Sequence, residues 1–159
     1  MKKFGWLAIV LMVVGGARAD EVKAPAHVAV APADLKWGEP PPVFEKGASF
    51  TVVSGDPGRA GLFVVRLKLP AGYKIAPHFH PTDEHVTVLS GTFGVGMGDK
   101  IDMAALVKLP AGGYALMPAS MHHYAVAIGK ATVQVHGMGP FALTYVNPGD
   151  DPSKRSGVK

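Results

Sequence analysis

The stretch "GYKIAPHFHPTDEHVTVLSG", Gly72 to Gly91, decides how this chain is read. Its middle, Pro77 to His85, gathers five titratable side chains, His78, His80, Asp83, Glu84 and His85, in a chain that is 48% hydrophobic. Along an extended strand, residues two apart share a face. His78 and His80 therefore project together, with Phe79 opposed to them. Pro81-Thr82 signals a turn, and beyond it "EHVTVL" alternates, with Glu84, Val86 and Val88 on one face and His85, Thr87 and Leu89 on the other. Valines suit the lining of a barrel, which makes Glu84 the inward carboxylate and His85 the outward neighbour.

Working outward, the surrounding sequence is a succession of short β-branched and aromatic runs. "SFTVVS", "LFVVRLKL", "HVTVLSG", "TFGVGMG", "YALM", "HYAVA", "ATVQVHG" and "FALTYV" read as strands, with turns at "GDPG", "PAG", "PAGG" and "IGK" between them. Only "DMAALVK" has the composition of a helical turn. Many short strands at regular spacing predict an all-β, antiparallel sandwich or barrel over residues 47–146. Residues 20–46 are rich in Ala and Pro and form an extended lead-in, with an edge strand expected at "HVAV" (His27 to Val30). Residues 147–159 form a polar tail expected to be mobile. "LKLPAG" (Leu67 to Gly72) recurs as "VKLPAG" (Val107 to Gly112), and each copy leads into a His-bearing segment, which suggests two related sheets feeding one site.

The chain opens "MKKFGWLAIVLMVVGGARAD": two lysines, an apolar run too short to span a bilayer, then Ala17-Arg18-Ala19. This is the pattern of a secretory leader over residues 1–19, cleaved before Asp20, with a periplasmic or secreted mature protein and no membrane anchor. Without Lys2, Lys3 and Arg18 the 16 basic residues become 13, against 12 acidic ones, a net charge of +1. The remaining cations are scattered and give no footprint for nucleic acid. The absence of cysteine excludes disulfides, thiolate catalysis and Cys-based metal sites, so any metal must be held by His, carboxylate and water.

A third imidazole has to come from elsewhere, and "MHHY" offers His122 and His123, of which a strand turns only one inward. At this point the residues resemble a cupin. The first cupin motif is met by Gly72, His78, His80, Glu84 and Gly91, and the second by Gly112, Pro118 and His123 in "GGYALMPASMHHYAVA". Two positions depart from it: Ser120 stands where glycine is usual and Ala127 where asparagine is usual. The resemblance implies a jelly-roll barrel of six to eight strands, a single metal held by His78, His80, Glu84 and His123, and pairing of two copies into a homodimer. Asp83, His85 and His122 are then neighbours of the site.

Three imidazoles and a carboxylate suit divalent Fe, Mn, Zn, Ni or Cu and leave one or two coordination positions open. The expectation is an exported metal-dependent enzyme acting on a small oxygenated molecule, as a dioxygenase, isomerase or lyase. The alternative is a non-catalytic cupin that binds a metal or small ligand. In "TVQVHGMG", Gln134 and His136 share one face and Val133 and Val135 the other. Gly137 and Gly139 allow close backbone approach, which favours an inward His136, the one candidate general base.

Overall fold

Alternating apolar and polar residues dictate ten strands, seen in a computed structural model that describes residues 27–155. The expected leader over residues 1–19 lies outside them, as do residues 20–26 and 156–159. The strands are β1 (Ser49–Ser54), β2 (Gly61–Leu69), β3 (Lys74–Phe79), β4 (Glu84–Ser90), β5 (Thr92–Met97), β6 (Val107–Pro110), β7 (Tyr114–Met117), β8 (His123–Ala127), β9 (Ala131–Gly139) and β10 (Thr144–Tyr145). They form two five-stranded antiparallel sheets, ordered β1-β2-β9-β4-β7 and β10-β3-β8-β5-β6. The two sheets face each other as a jelly-roll barrel, with more strands than the six to eight expected.

The inward faces carry the β-branched residues, as the parity of each strand requires. Cross-strand register stacks them in layers. Phe63, Gly137 and Glu84 align at one end, then Val65, Val135 and Val86, then Leu67, Val133 and Val88. The second sheet adds His78 opposite His123 at the first level and Ile75 and Val95 opposite Ala125 at the next. The polar residues thus occupy one end of an otherwise aliphatic interior.

The sequence echo marks one turn used twice. Gly72 and Gly112 sit at φ 78° and 85°. Tyr73 N–H donates to Pro70 O at 3.1 Å, and Gly113 N–H donates to Pro110 O at 2.8 Å. A Pro-Ala-Gly turn with φ above zero at its third residue favours glycine there. One copy carries the chain from β2 to β3 and the other from β6 to β7, each crossing between sheets.

Several expectations are corrected. "HVAV" is not a strand: His27 to Val30 are exposed, irregular chain, and among the described residues the lead-in makes one β-bridge to the sheet, Gly38–Phe50. "DMAALVK" forms no helix: residues 103–105 are bends, Leu106 packs on Tyr124 and Val126, Asp102 O accepts from the Tyr124 hydroxyl at 2.9 Å, and Val107 and Lys108 already belong to β6. "FALTYV" is a strand only over Thr144 and Tyr145, with Val146 N–H donating to Pro77 O of β3 at 2.9 Å, and β3 and β6 add to the strands read from the sequence. The lead-in is strapped on by two tyrosines: Tyr145 donates to Val43 O at 2.7 Å and Tyr73 to Glu45 O at 2.6 Å. Beyond β10 a 3-10 turn (Pro148–Asp150) precedes the single helical turn α1 (Pro152–Arg155), where Arg155 pairs with Glu45.

Candidate metal centre

Four of the residues singled out in the sequence converge. His78 and His80 extend from the end of β3, Glu84 opens β4 and His123 opens β8, and all four are buried to 9% exposure or less. One ligand atom from each lies within 4.8 Å of the others. Ring centroids are 4.2 Å apart for His78 and His123, 4.9 Å for His78 and His80 and 5.2 Å for His80 and His123. Glu84 Oε2 is 3.3 Å from His123 Nε2 and 3.6 Å from His80 Nε2.

The backbone sets which nitrogen of each ring faces the site. Nδ1 of His78, His80 and His123 lies 2.7, 2.8 and 2.9 Å from the carbonyl oxygens of Ala76, Ala142 and Met121. A carbonyl only accepts, so each Nδ1 carries the proton, and the neutral ring presents a bare Nε2. His80 Nε2 and His123 Nε2 are buried without a hydrogen-bond partner. Buried polar atoms are rarely left unpaired, and lone pairs facing a carboxylate at this range repel unless a cation lies between them. The donor set therefore fits a metal ion.

Burial, reinforced by the neighbouring His123 and His80, pushes the His78 imidazole down to about 3. Burial also lowers His80, against the pull of Glu84. For Glu84 burial acts to raise the carboxyl, but His123, His80 and His78 together outweigh it and hold it below its ordinary value. At neutral pH the site presents uncharged His78 and His80 beside an ionised Glu84, the protonation states a divalent ion needs.

Two close contacts shape the site. A Cβ on Gly137, opposite Glu84 in the ladder, would lie 2.7 Å from Asp83 O, so only glycine lets β9 approach there. Phe141 stacks on His80 at 4.2 Å and 18°, and its centroid is 4.9 Å from that of Phe63. Phe141 and the three carbonyl acceptors were not legible in the sequence, because backbone partners carry no residue signal. Ser120, in the motif's glycine position, adopts φ 62° and donates its N–H to His80 O at 2.8 Å.

The remaining candidates lie outside the cluster. His136 is on the outer face of its sheet, not inward as expected: Val133 and Val135 take the interior, and apolar-in, polar-out alternation is the signal that would have placed it. Its ring stacks on His85 at 4.8 Å and 11°, and Gln134 accepts from Arg66 at 2.9 Å on the same face. His85 Nδ1 meets the Tyr114 hydroxyl at 2.7 Å. His122 pairs with Asp99 at 2.6 Å and stacks on Phe79, and Asp83 caps Ala119 N–H at 2.8 Å.

A cavity of about 290 Å³ opens from the cluster into the barrel. Val43, Phe44 and the Phe141–Leu143 segment contribute to its wall, and among its described lining residues the four clustered side chains are the only titratable groups.

The family described as the ChrR cupin-like domain matches residues 25–142. No curated protein matches the chain. Among solved structures, the polyketide cyclase RemF from Streptomyces resistomycificus superposes with a TM-score of 0.66 at 17% identity, covering 84% of this chain and 94% of its own. A putative acetylacetone dioxygenase from Methylibium petroleiphilum gives 0.61 at 21% identity, covering 83% and 90%. KdgF from Halomonas gives 0.56 at 19% identity, covering 72% and 96%.

Proposed function

The chain belongs to the ChrR cupin-like domain family of the cupin superfamily, and from that premise we propose an exported, mononuclear metal-dependent enzyme that acts on a small oxygenated molecule through an open coordination position. One observation carries this reading: three histidines and Glu84 converge at one end of an apolar cavity, with His80 Nε2 and His123 Nε2 buried and without a hydrogen-bond partner. A divalent ion held there supplies Lewis-acid polarisation of a bound oxygen ligand, or activation of water or dioxygen.

The chain's own contribution is orientation and exclusion of water. The carbonyls of Ala76, Ala142 and Met121 fix the imidazole tautomers. Phe141 and Phe63 keep bulk water from one side of His80. With no titratable group beyond these four on the wall among the described residues, a proton moved during reaction passes through Glu84 or solvent. Water-proton relaxivity of the manganese-loaded protein tests the reading. An exchangeable inner water supports an open position, and relaxivity no higher than that of a fully caged ion would overturn it.

The second reading, a non-catalytic cupin that binds a metal or small ligand, is favoured by that same lack of a separate general base. Turnover that depends on metal separates the two. The leader supports a periplasmic or secreted location. We also propose a homodimer across the outer face of the β1-β2-β9-β4-β7 sheet, where Leu62, Tyr114, Leu116 and Met138 are exposed around the His85–His136 stack. A monomeric mass by light scattering would refute it.

A further inference from the structure

The cavity below the four ligands is graded from polar to apolar in one direction, and the ladder register gives the order. The level that holds Glu84 and the His78–His123 pair is the only one with polar side chains on the wall. One level down are Val65, Val135 and Val95; below them lie Leu67, Val133 and Phe93. No Lys, Arg, Asn, Gln, Ser, Thr or Tyr lines the cavity among the described residues. Ala127, fully buried opposite Phe93, takes the position where the cupin pattern has an amide side chain, so the deep end lacks that donor as well.

We infer that the ligand of this site is a small, uncharged molecule whose oxygen functions are confined to one end and whose other end is hydrocarbon. The inference rests on the metal reading for the polar end alone; the apolar end follows from the wall. A carboxylate, phosphate or ammonium at the far end would be buried with no partner, and each sugar hydroxyl there would lose its water without a replacement. That excludes sugar acids, polyols, amino acids and phosphorylated metabolites. A cavity of about 290 Å³ is at the small end of ligand sites, which run from about 300 to 1,000 Å³. It suits a single ring or a short branched chain.

Two probes with the same paired oxygens and different far ends test this on the zinc-loaded protein, where no redox chemistry intervenes. By calorimetry, 4-methylcatechol is expected to bind at least tenfold more tightly than 3,4-dihydroxybenzoate. Equal affinities, or a preference for the carboxylate, would overturn the inference. In parallel, the zinc-free protein is titrated with toluene and the methyl resonances of Val65, Val133 and Val135 are followed. Saturable shifts at these methyls are expected, and their absence would also overturn it. Failure to take up zinc would count against the metal reading, and the toluene titration would then decide the apolar one alone.

Discussion

His78 stands directly opposite His123 across the β3–β8 ladder, with ring centroids 4.2 Å apart and both rings buried. Two imidazoles at this distance cannot both be protonated at low cost without water around them. His78 is held down to about 3 by burial first and by its histidine neighbours next.

The metal-free protein is therefore acid-labile. Between about 6.5, the ordinary histidine value, and about 3, the unfolded chain carries a proton on His78 that the folded chain lacks, so stability falls as pH falls through this window. His80, lowered by burial, adds in the same direction. Glu84, held below its ordinary value, also loses stabilisation as it protonates. Each group contributes a slope of up to about 1.4 kcal/mol per pH unit. Thermal melts from about pH 7.5 down to 4 should show a steady loss. A flat profile would show that the rings are not buried neutral.

Glu84→Gln keeps the shape of the side chain and removes its charge. Its Oε2 lies within 3.3 Å of His123 Nε2 and 3.6 Å of His80 Nε2. Metal affinity, measured by competition with a chelator, should drop at least about tenfold while the fold persists, since removing even an indirect partner of a ligand costs about 10 to 100-fold.

Ser120 is the one non-glycine residue at positive φ among the described residues, at 62°. An L-residue there costs roughly 1–2 kcal/mol, part of which glycine gives back through its more mobile unfolded chain. Ser120→Gly should raise stability by about 0.5–1 kcal/mol, and Ser120→Val should lower it, because a branched Cβ tolerates this conformation least. Chemical denaturation of both variants checks the signs.

Gly96 and Gly129 make opposite predictions. A Cβ at Gly96 would lie 2.2 to 2.4 Å from the Tyr124 ring, which is fully buried and anchored to Asp102 O. Gly96→Ala should cost about 1–3 kcal/mol through overpacking. At Gly129 nothing lies within 4 Å, so Gly129→Ala should stay within about 0.5 kcal/mol of the parent.

The His-Glu cluster was legible because its spacing combines with strand parity: His78, His80, Glu84 and His123 fall together, where the motifs place them. Most strands were legible for the same reason. What failed depends on cross-strand geometry. His136 faces out because Val133 and Val135 take the interior, which the alternation of β9 does signal; only its stacking partner, His85 on the neighbouring strand, is not named by the β9 sequence. Pro77 and a slip in register between Ile75 and His78 obscured β3, since the proline breaks the run of ladder donors. "HVAV" has the composition of a strand but pairs with no edge, whereas Gly38, further along the lead-in, bonds the backbone of Phe50 in β1. "DMAALVK" has helix-forming residues, but its one buried side chain, Leu106, is used to cover Tyr124, a case of tertiary contact overriding propensity.

The most direct test of the four-ligand centre is the metal content of residues 20–159, measured by mass spectrometry beside His78→Ala and His123→Ala. About one equivalent of divalent metal in the parent, and none in either variant, is the expected result for a mononuclear site. No bound metal in the parent, even after reconstitution with iron, manganese, nickel, copper and zinc in turn, would contradict it.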